Sequence, residues 1–257
     1  MKGGVVIALS VNLNKIALIR NSREGNFPDV VAHGRTCLDA GAQGLTVHPR
    51  PDQRHIRPGD VRELAKLCAG YPDIEFNVEG NPFAGPMADY PGLMPLVLET
   101  APDQCTLVPD SNDQLTSDHG FDLMRDGGRL EPIIKQLKSA NIRVSLFMDP
   151  DLEQISLAKE VGADRIELYT GPYAEAVARQ SSQLEAIFAS HCAAAEHART
   201  LGLGINAGHD LNLINLPRYR TLPGLQEVSI GHALTVDALN MGLANAVSAY
   251  LNCLSGN

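Results

Sequence analysis

The sequence predicts an α/β fold of the (β/α)8 TIM-barrel type, and three observations predict it. Short apolar, β-branched runs alternate with helical patterns from end to end, the arrangement that surrounds a parallel sheet with helices. Eight such units fit within 257 residues, the count and length of a (β/α)8 barrel. No G-x-G-x-x-G follows the first strand, which counts against the competing doubly wound sheet with a dinucleotide site. No low-complexity linker interrupts the pattern, so residues 1–257 are read as one domain.

The first strand is expected over Val5 to Asn12, followed by a polar stretch from Asn14 to Asn26 and a helix from Val30 to Ala40 that stops at Gly41. Gly44 to His48 is the second strand. Pro58-Gly59-Asp60 opens the next helix, Val61 to Ala69, with proline at a start position where its missing N–H costs little. Ile74 to Glu79 alternates apolar and polar residues as the third strand, and Leu93 to Thr100 is its helix. Gln104 to Val108 is the fourth strand. The long polar segment Pro109 to Gly128 after it has the length of a lid or binding loop.

Helix Leu130 to Ala140 leads to strand Arg143 to Met148, and helix Leu152 to Val161 to strand Arg165 to Tyr169. The Ala-rich helix Gln183 to Leu201 precedes the seventh strand, Gly204 to Ala207. Gln226 to Ile230 is the eighth strand and Val236 to Leu251 the closing helix. Gly41, Gly162 and Gly202 each stand where a helix gives way to a strand, the place for a left-handed cap.

Composition excludes several functions. The net charge of −9, the pI near 5.3 and the lack of a Lys/Arg block argue against nucleic-acid binding through phosphates. Met1 to Gly4 runs into Val5 to Leu9, too short and too soon polar for a signal peptide or membrane span, so no membrane partner and a cytoplasmic location are expected. The five cysteines, Cys37, Cys68, Cys105, Cys192 and Cys253, show no C-x-x-C pair and no zinc-like His spacing, which suits free thiols.

Barrel enzymes work where strands end, and these strand ends are polar. The first offers Asn12, Asn14 and Lys15; the second His48 and Arg50, within the charged stretch Thr46 to Ile56 that also holds Arg54 and His55; the third Glu79 and Asn81; the seventh Asn206, His209 and Asp210; the eighth Gly231 and His232. Two histidines and a glutamate are a known zinc set. The interleaved Asn, Lys and Arg fit an anionic substrate better, with His and Glu moving protons and Arg, Lys and backbone N–H groups holding phosphate. Gly231-His232 suits a phosphate cradle at a helix start.

Five ordered motifs carry a resemblance: Ser10-Val11-Asn12-Leu13-Asn14-Lys15-Ile16-Ala17, Thr46 to Ile56, Asn77-Val78-Glu79-Gly80-Asn81-Pro82, Asn206-Ala207-Gly208-His209-Asp210-Leu211 and Ser229-Ile230-Gly231-His232-Ala233. Together they resemble the pyridoxine 5′-phosphate synthase family, along nearly the whole chain. The resemblance implies a barrel with extra helices, a homo-octamer built from dimers, no cofactor and no metal. The implied reaction joins two phosphorylated small molecules, 3-amino-2-oxopropyl phosphate and 1-deoxy-D-xylulose 5-phosphate, and releases phosphate and water. It assigns proton acceptance to His48 and Glu79 and proton donation to His209. It assigns contacts with the aminoketone phosphate to Asn12, Arg23, Asp210, Gly231 and His232, and contacts with the deoxyxylulose phosphate to Asn14, Lys15, Arg50, His55 and Thr116. Arg54 falls outside these assignments and is read as structural. Asn14-Lys15 replaces the commoner Asp-His, Asp210 a commoner Gly, and Phe83 to Gly92 is an insertion. The alternatives are another TIM-barrel aldolase or isomerase acting on one sugar phosphate, for which Lys15 is the Schiff-base candidate, and a non-catalytic phosphate-binding barrel.

Overall fold

The computed structural model describes residues 6–256; Val5, the expected first residue of the opening strand, and the segment Met1 to Gly4 lie outside the described residues. Eight parallel strands close into a barrel in chain order: β1 (Ala8–Asn12), β2 (Gly44–Val47), β3 (Glu75–Gly80), β4 (Gln104–Leu107), β5 (Arg143–Met148), β6 (Arg165–Tyr169), β7 (Gly204–Gly208) and β8 (Leu225–Ile230). Around them run α1 (Asn14–Asn21), α2 (Val30–Asp39), α3 (Pro58–Cys68), α4 (Leu93–Thr100), α5 (Leu123–Ser139) and α6 (Leu152–Glu160). The second half adds α7 (Gly171–Ala178), α8 (Leu184–Thr200), α9 (Leu216–Tyr219), α10 (His232–Met241) and α11 (Leu243–Ser255).

Local chemistry accounts for the boundaries. The Asp29 carboxylate accepts the N–H groups of Val31 and Ala32 at 2.9 and 3.1 Å and starts α2, and Asp151 does the same for α6. Gly41, Gly162 and Gly202 have φ of 101°, 94° and 71°, the left-handed turns expected of them.

The differences from the sequence reading lie where composition misleads. The polar stretch after β1 contains α1, because Ile16, Ala17 and Arg20 recur on one buried face. The sequence reads as loop up to Gly128, yet α5 begins at Leu123, where the Asp122 side chain accepts the Arg125 N–H, and Gly127 packs against Val161. The loop after β4 is therefore shorter than expected. The single closing helix is two, broken at Gly242 with φ 83°. The inserted segment Phe83 to Gly92 buries Tyr90 and stacks Phe83 under the Arg129 guanidinium at 3.7 Å.

Strand alternation divides the core into two parts. Leu9, Val11, Leu45, Val47, Phe76, Val78, Val144, Leu146, Ile166 and Leu168 belong to the apolar layer packed with the helices. The intervening residues line a polar interior in which Ser10 meets Thr46 at 2.7 Å, Thr46 accepts from Asn77 at 3.3 Å and Thr106 donates to Asn77 at 3.1 Å. This polar column rises to the rim where the strands end.

Candidate active site

A cavity of about 350 Å³ opens at the carboxyl ends of the strands. Its wall brings together His48, Glu79 and His209 with Asn12, Asn14, Lys15, Arg50, His55, Thr116, Asp210, Gly231 and His232. Arg23 is not among them. Helix α1 ends at Asn21, and Arg23 lies exposed on the turn beyond it; the inward-facing arginine of that segment is Arg20, at 1% exposure.

The rim is tied together by side chains from neighbouring strands. Asn12 Oδ1 accepts the Asn14 N–H at 3.0 Å, and Asn14 Oδ1 accepts the His48 N–H at 2.9 Å, so this amide pair links the ends of β1 and β2. His48 lies between two carboxyl groups. Its Nδ1 is 3.8 Å from Glu79 Oε2 and its Nε2 is 3.6 Å from Asp110 Oδ2. Across the cavity, His209 Nδ1 meets Asp210 Oδ2 at 2.8 Å and Nε2 meets the Thr116 hydroxyl at 2.8 Å.

Burial and crowding set the protonation states. Burial, and then the positive charge of Arg50, push His48 well below the usual histidine range, so its imidazole is neutral near pH 7. Burial, followed by repulsion from Glu167, Asp110 and Glu227, pushes Glu79 well above the usual carboxylate range. His55 is lowered to about 3 by burial and by Arg50, Arg54 and Lys15. Because its Nδ1 accepts the Ile56 N–H at 2.9 Å, the neutral ring carries its proton on Nε2 and is a donor there. The hydrogen bond from His209 holds Asp210 below the usual range.

Glu167 is a member that the sequence reading did not assign. It stands mid-strand in β6, lines the cavity and is raised to about 8 by burial and by Glu227. Its neighbour Gly208 leaves it room, since a Cβ there would meet Glu167 Oε1 at 2.1 Å. The available signal was a carboxylate at the centre of the alternating run Arg165-Ile166-Glu167-Leu168-Tyr169.

Arg54 also differs from its reading as purely structural, because it borders the cavity. It holds the loop after β4, donating to the carbonyls of Gln114 at 2.7 Å, Asn112 at 2.8 Å and Leu115 at 3.4 Å. R54A is expected to speed amide hydrogen exchange across residues 111–117 about tenfold, corresponding to roughly 1.4 kcal/mol of lost closure. Unchanged exchange by mass spectrometry would show that the loop is held elsewhere.

Among the described residues, no group of three or more His, Cys, Asp or Glu is arranged to hold a metal ion, and no helix is long and apolar enough to cross a membrane. The five cysteines are free thiols.

Comparison with known proteins then places the chain. The crystal structure of the Legionella pneumophila subsp. pneumophila tryptophan synthase alpha chain matches with a TM-score of 0.63 at 12% identity, over 97% of this chain and 92% of that one. A likeness at that identity concerns the fold alone. Pyridoxine 5′-phosphate synthase from Xanthomonas campestris pv. campestris (strain B100) is 56% identical over 250 residues, 96% of each chain. The protein of that name from Xanthomonas oryzae pv. oryzae (strain MAFF 311018) is 54% identical over 254 residues, 98% of each chain. The one from Albidiferax ferrireducens is 52% identical over 96% of this chain and 97% of its own. With a family profile matched from residue 9 to residue 256, the chain belongs to the family described as pyridoxal phosphate biosynthesis protein PdxJ.

Proposed function

We propose that the chain is a pyridoxine 5′-phosphate synthase, condensing 3-amino-2-oxopropyl phosphate with 1-deoxy-D-xylulose 5-phosphate by acid/base catalysis. The observation that carries this reading is one cavity in which proton-handling groups lie together with anion-binding groups brought from two places in the fold. Lys15, Arg50 and His55 form one set, with Asn14 fixing the rim and Thr116 brought in from the loop. The other is the start of α10 with Gly231 and His232, near Asn12 and Asp210, where first-turn N–H groups favour an anion. An enzyme for a single sugar phosphate needs only one such set.

The chemistry follows from the charge states. Amine attack on a ketone, dehydration and ring closure each move protons, so donors and acceptors must surround one intermediate. Burial, and then its acidic neighbours, favour the neutral form of Glu79, and a cationic substrate amine beside it offsets that repulsion and frees its carboxylate as an acceptor. Neutral His48, 3.8 Å away, is the second acceptor, and His209, bonded on both ring nitrogens, is the donor. Glu167, held neutral near pH 7, supplies a carboxyl hydrogen-bond donor on the cavity floor. Arg23 reaches the aminoketone phosphate only if the turn after α1 moves.

The test is incubation of the purified protein with both phosphates. Pyridoxine 5′-phosphate and inorganic phosphate should form in equal amounts, and a folded sample that yields neither rejects the reading. Borohydride trapping of a substrate on Lys15 would instead point to an aldolase. Residues 1–257 acting as one domain, a cytoplasmic setting, supported by five unpaired thiols, and a homo-octamer built from dimers belong to the same proposal. Exposed Leu18, Ile19, Ile214 and Leu239 supply apolar surface for such an assembly, which sedimentation of the full chain measures; a monomer would exclude it.

A further inference from the structure

Asp110 stands directly behind the cavity wall, and three functional parts of the site meet on one of its oxygens. Its carboxylate is buried at 5% exposure and does not itself line the cavity. Oδ2 accepts from Arg50 Nη2 and, at 2.9 Å, from the Ser117 hydroxyl of the loop after β4; the same oxygen lies 3.6 Å from His48 Nε2. Its other oxygen, Oδ1, is buried without a partner, while its backbone carbonyl is fixed by Asn81 Nδ2 at 2.6 Å.

We propose that Asp110 is a positioning residue: it is the counter-ion of Arg50 until substrate binds, yields the guanidinium to a substrate phosphate, and then serves the Nε2 edge of His48. This deepens the proposed function and rests on Arg50 gripping a phosphate. Both partners are buried and their charges cancel, so the paired Arg50 presents little net attraction to an anion. An arriving phosphate brings like charge against the carboxylate in a poorly solvated place, and that repulsion is relieved when Oδ2 turns away. A shift of less than about 1 Å brings it from its present separation to hydrogen-bond distance of His48. The consequence is a coupling. Burial and the Arg50 charge keep His48 a weak base. Phosphate on Arg50 and a carboxylate on Nε2 reverse the electrostatic part, so His48 gains basicity only when substrate is bound.

The test compares wild type, D110N, D110E and R50K for inorganic phosphate binding by calorimetry and for steady-state turnover. R50K should weaken phosphate binding, which identifies the Arg50 site. D110N should bind phosphate about tenfold more tightly yet turn over about a hundredfold more slowly, with a lower KM for the deoxyxylulose phosphate. D110E should return both quantities to within about tenfold of wild type. A merely structural role would weaken binding and turnover together, and that result overturns the proposal, as does phosphate binding indifferent to R50K or a D110N enzyme with wild-type kcat. If D110N does not fold, D110S is the neutral variant and the same split is required of it. The phosphate measurements need no turnover, so a wild type that forms no product rejects the proposed function, and with it the service to His48, while the counter-ion role of Asp110 toward Arg50 is still decided.

Discussion

Glu79→Gln is expected to lower kcat about a thousandfold while KM for either substrate changes less than about threefold. Gln keeps the shape of the side chain and the hydrogen-bond contact with Asn12 but has no carboxylate to accept a proton, and general acid–base groups contribute roughly 10²–10⁴ in rate. The side chain faces His48 at 3.8 Å and is crowded by Glu167 and Asp110, so its proton inventory is what the site tunes, and its contribution to anchoring is small. Removing one carboxylate also relieves that crowding, which favours folding and keeps the variant measurable. Steady-state kinetics decide the matter: a rise in KM as large as the fall in kcat would make Glu79 a binding group and remove it from proton transfer.

Arg20→Ala is expected to destabilise the protein by about 3–5 kcal/mol, as removal of one partner from a buried ion pair does. The Arg20 side chain is 2% exposed, and its fork reaches Asp60 at 2.5 and 2.9 Å and the His55 carbonyl at 3.0 Å. Beside it, Asn21 donates to the carbonyls of Gln53, Arg54 and His55. Truncation leaves the Asp60 carboxylate without its cationic partner, with the Arg57 N–H at 2.7 Å remaining, and loosens the segment that aims His55 and Arg54. For a chain of this size the melting temperature should fall by roughly 6–20 °C, since each kcal/mol is worth about 2–4 °C. The R20M/D60L double variant should recover part of this, because an apolar pair leaves no stranded charge. A melting temperature within about 2 °C of wild type for R20A would show that the pair is solvated and contributes little.

The same segment shows how far the sequence could be followed. The family resemblance assigns a phosphate contact to Arg23 while Arg20 carries the packing, yet both are arginines on a stretch that reads as polar loop. Only the helical phase of α1, with Ile16, Ala17 and Arg20 inward, separates them. Glu167 was visible as a charge within a strand, but its meaning depends on Gly208 of the next strand making room and on Glu227 repelling its proton loss.

What the sequence determined by itself was the set of features written in short-range periodicity. Strand alternation and glycine turns give eight βα units, and the barrel's geometry then sends the residues at strand ends to one rim; the cavity positions of Asn12, Lys15, His48, Arg50, Glu79, His209 and His232 were legible for that reason. What only the tertiary structure decided was which charges meet. Arg50 and Asp110 are 60 residues apart in the chain, Thr116 and His209 are 93 apart, and Arg54 reaches carbonyls 58 to 61 residues away. Such pairs exist only once the barrel closes and water is excluded, because burial and neighbouring charge, which no local pattern encodes, fix whether a side chain holds its proton or gives it up.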